Sequence, residues 1–331
     1  MKGYDIYGVG NALVDSEYEV TNAFLEAAGL SKGMMTLVEE GERKHLISLL
    51  EEEYDYQVIK QAGGGSAANT MIIVSQLGGD AFYSCKVAND RIGDFFVRDL
   101  VEAGVDTNLS SYREAGNTGQ CISMITPDAE RTMTTCLGIT NFLSPAELNP
   151  DALRRSNKLY IEGYLMSSAT GFEAAIEAQT IAKSARVEVS LTLSDPAMVE
   201  NYLPNYRSIL DSGVDLLFCN LDEAKLLTGT ETPDDCVRQL RNICSCFVIT
   251  CGKEGSLAFD GNSTIRTEGK AAKAIDTTGA GDIFAGTFLH GICNGKDFTQ
   301  AAEFANRSAS LLVANFGARL KQSEVDRYLK I

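Results

Sequence analysis

Positive charge is what this sequence is short of: 29 Lys and Arg stand against 45 Asp and Glu, leaving a formal charge of −16. So acidic a chain repels nucleic acid and anionic membranes, so neither is an expected partner. An anionic substrate can still be held, but only by a local device such as backbone amides or a metal. No apolar run approaches the ~20 residues a membrane span needs. The opening Met1-Lys2-Gly3-Tyr4-Asp5 enters a strand-like stretch and lacks the apolar core of a signal peptide, so a cytoplasmic location is expected. Histidine is nearly absent (His45 and His290), and none of the nine cysteines forms a C-x-x-C pair. The odd cysteine count argues against a disulfide framework. Cys244, Cys246 and Cys251 lack the partners of a structural zinc site. Buried thiols in apolar runs, such as Cys219 after Leu217-Phe218, are the expectation. Only six prolines break the chain, and no internal repeat or low-complexity tract occurs.

What is present is an ordinary globular composition, 44% hydrophobic and 22% charged, with core enough for two modest domains or one large α/β domain with an appendage. Strand-like runs at Tyr4–Val9, Ala81–Lys86, Lys158–Ile161, Glu188–Leu193, Val214–Phe218 and Phe247–Thr250 alternate with helical patterns. The helices fall at Gly41–Glu53, Ser66–Leu77, Arg91–Ala103, Gly171–Ala185, Met198–Ser212 and Asp222–Thr228. Such alternation predicts a mainly parallel sheet with helices on both faces, binding ligands beyond the carboxyl ends of its strands. Two stretches depart from it. Val14–Val20 with Gly33–Val38, and Thr118–Thr126 with Arg131–Cys136 joined by the turn Pro127-Asp128-Ala129, read as strand pairs with no helix between. The expectation is a small β-sheet lid from two insertions, about 12–40 and 106–137, over a single domain spanning 1–331.

The most informative segment is Asp276-Thr277-Thr278-Gly279-Ala280-Gly281-Asp282, which feeds directly into an apolar helical run. The amides of Gly279, Ala280 and Gly281 can converge on one anion, and the helix dipole adds to their field. Asp282 places a carboxylate beside that anion hole, where it can take a proton from a hydroxyl. Phosphoryl transfer to an alcohol needs this pairing.

This heptapeptide resembles the second signature of the ribokinase family, the phosphofructokinase-B-type sugar and nucleoside kinases. The first signature has its counterpart in Gly63-Gly64-Gly65-Ser66-Ala67-Ala68-Asn69, running on to Leu77-Gly78-Gly79. The likeness covers the full chain and is strongest to bacterial adenosine kinases, through Gly8–Asp15, Thr126–Thr132 and Glu162-Gly163-Tyr164. The resemblance implies a ribokinase-like α/β fold and an ATP-dependent, Mg2+-assisted kinase, with a monovalent cation such as K+ near Asp276 and Thr278 in some relatives. It implies that Asn11 and Asp15 grip vicinal ribose hydroxyls, that Gly64, Gly65 and Ser66 approach the sugar, and that Asn69 adds a hydrogen bond. By the same likeness Asn220 and Glu223 organise magnesium and its waters, with Glu223 the metal-side acid. Thr250, Gly252, Gly255 and Thr278 would contact the nucleotide, with Asn306 and Gly317 near the adenine. Arg131, on the lid, would move toward the γ-phosphate. Leu13, Met35, Leu37, Cys121 and Tyr164 are candidates for an apolar base pocket. Cys85 and Ala88 depart from the family pattern, where many members carry glycine.

The expected activity is therefore phosphorylation of the 5′-hydroxyl of a ribonucleoside, adenosine before others. A sugar kinase acting on ribose or fructose stays open, as does a non-catalytic nucleoside sensor, although a sensor needs no base at Asp282. A monomer and a homodimer are both compatible with the chain, since a lid sheet exposes an edge.

Overall fold

The computed structural model describes residues 3–109, 113–128 and 130–329. Ala129 of the expected lid turn lies outside them. Thirteen strands are found among the described residues, in two sheets. They are β1 (Tyr4–Val9), β2 (Leu13–Glu19), β3 (Met35–Leu37), β4 (Lys60–Gly64), β5 (Ala81–Ser84), β6 (Gly119–Ile125) and β7 (Arg131–Cys136). β8 (Ser156–Ile161), β9 (Glu188–Thr192), β10 (Leu216–Asn220), β11 (Cys246–Thr250), β12 (Ser256–Phe259) and β13 (Thr264–Thr267) follow.

The larger sheet has the order β13-β12-β11-β10-β9-β8-β1-β5. It is parallel from β5 through β11, with β12 and β13 added as an antiparallel edge. Its parallel strands are largely apolar on both sides because helices cover both faces. Ser66–Gln76, Ala280–Cys293 and Phe298–Val313 bury Met71, Phe284, Phe288 and Ala305 on one face. Ala169–Ser184, Pro196–Asp211, Leu221–Thr228 and Pro233–Leu240 bury Ala178, Ile209, Leu227 and Leu240 on the other. The register puts the carboxyl ends of the parallel strands (Val9, Ser84, Ile161, Thr192, Asn220 and Thr250) on one rim. No described helix is long and apolar enough to cross a membrane. All nine cysteines are free thiols, buried or half-buried.

The second sheet, in the order β3-β7-β6-β2-β4, departs from the expected lid in two ways. A helix, Asn22–Ala27, does stand between β2 and β3, its N-terminus capped by the Thr21 hydroxyl. At six residues it is too short to display a helical period, yet it buries Phe24 and Leu25. The sheet also draws on a third segment, β4, whose Lys-Gln-Ala-Gly-Gly sequence carries no strand pattern. Pairing with β2 imposes its conformation. Along β2 the burial alternates strictly. Val14, Ser16 and Tyr18 are buried, and Leu13, Asp15 and Glu17 face outward. Val14 packs into the core of the main sheet, whereas Tyr18 rests on Phe24, Leu25, Leu46 and Leu50 in a small separate core.

Glycines set several close approaches. Gly255 has φ +97°, and a Cβ there would strike the Thr267 carbonyl and the Gly269 nitrogen. Gly255→Ala should therefore cost about 2 kcal/mol or more. Gly41→Ala, in the helix Glu40–Ser48 with open space around it, should be neutral or stabilising by up to ~1 kcal/mol. Urea midpoints of the two variants test this, and a Gly255→Ala protein as stable as the parent would contradict the strain argument.

Candidate functional site

The rim collects most of the polar residues singled out above. Asn11 lies two residues past β1, Glu162 directly follows β8, and Asn220 and Thr250 end β10 and β11. A strand leaving a buried sheet must become polar there, and that is where a parallel sheet presents side chains to a ligand.

Asp282 occupies the first turn of the helix Ala280–Cys293 and meets the first turn of Ser66–Gln76. Ser66 donates its hydroxyl to one carboxylate oxygen at 2.6 Å, and Asn69 donates its amide to the other at 3.0 Å. One turn deeper, Thr70 donates to the Asp282 carbonyl at 3.3 Å. The helices can approach this closely because Gly286 lies against Thr70 and Ile73, where any side chain would collide. Burial raises Asp282 to about 6, against the opposing pull of Ser66, Asn69 and the Arg319 cation. The carboxylate is thus poised near neutrality, as a proton acceptor requires.

Gly279 caps this helix in the left-handed conformation at φ +77°, pressed against the Ala318 backbone. The anion hole differs in one detail from the expectation of three free amides. The Ala280 N–H closes a turn on the Thr277 carbonyl at 3.2 Å, while Gly279 and Gly281 have no internal acceptor among the described residues. Asp276 supports the loop: one oxygen accepts the Thr278 amide at 3.0 Å, the other the Gly317 amide at 2.9 Å. Burial opposes its ionisation, but these amides and Arg131 outweigh burial and hold it below the usual carboxylate range.

Arg131 opens β7 and reaches from the lid to this loop, 3.3 Å from Asp276 and 3.6 Å from Glu17. It also lies over the Phe316 ring. At this point the second sheet and the Asp276–Gly279 loop are joined by charge.

At the sugar end, Gly65 turns the chain at φ +104° against the Asn11 carbonyl, and Gly64 packs against the Asp15 carboxylate. Burial lifts Asp15 to about 6 despite Arg319. Asn11 is tied down through its backbone, its N–H donating to Glu162 at 3.2 Å and its carbonyl accepting from the Tyr83 hydroxyl at 2.7 Å. Leu13, Asp15 and Cys121 share the open lid face with Leu37, in the register Asp15–Cys121–Thr135–Leu37.

The nucleotide-side residues form a second group. Asn220 and Glu223 make a reciprocal capping box, and both Glu223 oxygens accept from Asn220, at 2.7 and 2.8 Å. Burial raises Glu223 to about 7, and its charged neighbours Asp195 and Asp222 are both acids. Thr250 donates to the Cys219 carbonyl at 3.5 Å, Gly252 and Gly255 shape the following turn, and buried Asn306 donates to Ser256 at 3.1 Å. Burial pushes the Tyr164 hydroxyl well above its usual range, and the nearby acids, Asp195 first, push the same way.

Sequence reasoning passed over two residues. Glu162 is fully buried and accepts the Asn11 and Ala67 amides, at 3.2 and 2.8 Å; burial raises it to about 8. A carboxylate directly after an apolar strand was its available signal. Arg319 donates to Asn69 at 2.8 Å and to Asp99 at 2.5 Å, and nothing local to Arg319 marked it.

The pfkB family carbohydrate kinase model matches residues 46–324. The chain belongs to this family, whose fold is the ribokinase-like α/β architecture described above. It is a phosphotransferase acting on a sugar or nucleoside hydroxyl. Among solved structures it is similar to a probable sugar kinase from Rhizobium etli (30% identical, TM-score 0.86, covering 99% of this chain and 98% of that one). An adenosine kinase from Sinorhizobium meliloti is 32% identical at a TM-score of 0.85, covering 98% of this chain and 99% of its own. A ribokinase from Staphylococcus aureus is 27% identical over 78% of this chain and 84% of its own.

Asp15, Asp282, Glu162 and Glu223 all bind protons more tightly folded than unfolded, with values of about 6, 6, 8 and 7. Their stability contribution is complete below the unfolded carboxylate range, near 4, and is lost as pH rises through 6 to 8. The melting temperature of the ligand-free protein should therefore fall steadily from pH 5 to 8.5. A flat or rising profile would show that these carboxyls are not raised.

Proposed function

We propose that the chain is an ATP-dependent kinase that transfers a phosphoryl group to the 5′-hydroxyl of a ribonucleoside, with adenosine as acceptor and AMP as product. The observation that carries this reading is the Asp282 carboxylate, set by Ser66 and Asn69 at a helix N-terminus whose Gly279 and Gly281 amides have no internal acceptor. Asp282 takes the proton of the attacking hydroxyl. The amides hold charge on the transferring phosphoryl, and Ala280 joins them if its long turn bond is shared.

Asn11, Asp15 and Asn69 would grip the ribose, with Gly64, Gly65 and Ser66 allowing close approach. An acceptor carboxylate discriminates against a sugar missing a hydroxyl, which would leave it unpaired. The nucleoside choice is supported by the open lid face, where Met35 and Leu37 are 55% and 63% exposed beside Leu13 and Cys121. An apolar plate above a polar floor suits a purine joined to a ribose.

Glu223 and Asn220 fit a magnesium ion that keeps most of its waters: the carboxylate is buried among acids and its oxygens are already hydrogen-bonded, so contact runs through water. When bound, the ion supplies charge neutralisation at the donor phosphates. Thr250, Gly252, Gly255, Thr278, Asn306 and Gly317 would line the ATP side, and a monovalent cation near Asp276 belongs to the same reading. Arg131 would exchange Asp276 for the γ-phosphate as the lid closes.

A free-sugar acceptor is the second reading, favoured by the hydroxyl-binding set and by the likeness to the Rhizobium etli and Staphylococcus aureus proteins. ADP release with magnesium–ATP separates the two, with adenosine, inosine, ribose and fructose compared with and without K+. Adenosine should lead in kcat/KM by tenfold or more, and Asp282→Asn should lose at least a thousandfold in kcat. A sugar ahead of adenosine would return the lid face to packing. Asp282→Asn keeping a tenth of kcat would remove the base. No turnover with any of the four would point to an acceptor outside this set.

The same geometry gives a metal test. Glu223→Gln should raise the magnesium concentration for half-maximal rate about tenfold while leaving KM for the acceptor within twofold. An unchanged magnesium requirement would separate Glu223 from the ion.

A further inference from the structure

The segment between the helices Phe298–Val313 and Gln322–Tyr328 sends Arg319 back into the body, where it is half-buried and reaches three elements. Its Nε donates to Asn69 Oδ1 at 2.8 Å, on the helix Ser66–Gln76. Its Nη1 donates to Asp99 Oδ2 at 2.5 Å, on the helix Arg91–Glu102. A Cβ on Gly63 of β4 would strike the Asp99 carboxylate and come within 3.2 Å of Arg319 Nη2. The lid strand is bare at that point because the ion pair fills the space. Nη2 itself is buried with no hydrogen-bond acceptor among the described residues.

We propose that Arg319 is a positioning residue that locks the Asn69 side chain in the one orientation able to aim an N–H at Asp282. A guanidinium has donors only, so the Asn69 atom facing it must be the carbonyl oxygen. The amide nitrogen then faces Asp282 Oδ2, at 3.0 Å. Without Arg319 the buried amide is free to turn over, setting an oxygen against the carboxylate. That arrangement is tolerable only when Asp282 is protonated. Arg319 is also the cation that opposes burial at Asp282, and with Lys60 and Arg131 it does so at Asp15. Glu162, Tyr83, Tyr160 and Tyr164 also feel the Asp282 charge, and none of them supplies positive charge. This inference rests on the reading of Asp282 as the proton acceptor.

The test uses the full chain as Arg319→Met and Arg319→Lys, alone and with Asn69→Ala. The Asp282 carboxyl is titrated by 13C NMR, its signal assigned by loss in Asp282→Asn. Arg319→Met should move the Asp282 midpoint up by about one pH unit. It should also lower kcat tenfold or more at pH 7, with KM for ATP within twofold. Arg319→Lys keeps the charge but loses the fork, so it should recover part of the midpoint and little of kcat. Adding Arg319→Met to Asn69→Ala should cost less than a further twofold, because the two act in series. An unmoved midpoint in Arg319→Met overturns the proposal, as do losses that multiply in the double variant. If Arg319→Met does not fold, Arg319→Lys decides, and parental kcat there overturns the proposal. Turnover by Asp282→Asn would instead sink the base assignment, while the NMR midpoint would still report on Arg319.

Discussion

The crossing of two helices at Gly286 is the contact on which the rest of the site depends. With no side chain at that position, Ala280–Cys293 can lie against Thr70 and Ile73 of Ser66–Gln76. One turn before each contact residue come Asp282 and Ser66, which therefore meet at 2.6 Å. Both helices point their N-termini into the same cleft, and the positive ends of both macrodipoles converge there. A chain of net charge −16 can in this way offer a polyanion a local attractive field. The field comes from backbone amides, so its strength does not depend on the surface charge. It also explains why the acid at the centre stays usable: burial pushes Asp282 upward, while Ser66, Asn69 and Arg319 pull it back to about 6.

The lid is a separate construction fastened to that centre at a few points. It has its own small core around Phe24, Leu25, Leu46 and Leu50. Its ties include backbone ones at Gly64–Gly65 and an electrostatic one, Arg131 to Asp276. Asp276 is also held by the Thr278 and Gly317 amides, so the lid arginine engages the loop that would cradle phosphate. In the proposed reaction, a γ-phosphate would compete with Asp276 for the same guanidinium. Asp276 would keep the two amide hydrogen bonds when the arginine leaves, so its charge would not be stranded.

The parallel core and the phosphate loop were legible because their signals are local. Apolar strand runs alternate with amphipathic helices, and Asp276–Asp282 packs glycine, turn and helix start into seven residues. Tyr4–Val9 and Arg131–Cys136 match the observed strands residue for residue, and most other boundaries move by one or two. What escaped was set by distant partners. β4 is a strand because β2 pairs with it, and Gly63 and Gly64 are glycines because Arg319, Asp99 and Asp15 need the room. The β12–β13 hairpin was missed because its four-residue strands are short and polar at the outer edge. Arg319 lies 250 positions from Asn69 in sequence, and no periodicity connects residues so far apart. The free Ala280 amide was a reasonable expectation from a glycine-rich helix start. The turn bond to Thr277 forms because Gly279 enters the left-handed region, which brings the two groups together.

This division also accounts for how similar chains come to be named for different acceptors. In the proposed reaction the floor, with Asp282, Ser66, Asn69 and the Gly279 turn, would meet only a hydroxyl and a phosphoryl group, and those are common to ribose, fructose and nucleosides. Nothing in that floor distinguishes a free sugar from one carrying a base. On this reading the distinction would come from what stands above it, the open face of β2, β6, β7 and β3. Met35 and Leu37 lie on β3, a three-residue strand held to the sheet by pairing with β7 alone. Short edge strands exchange side chains at little cost to the fold, since their neighbours on one side are solvent. On this reading the chemistry would rest on buried helix packing that leaves no room for a side chain at Gly286, whereas acceptor choice would rest on exposed residues that tolerate change.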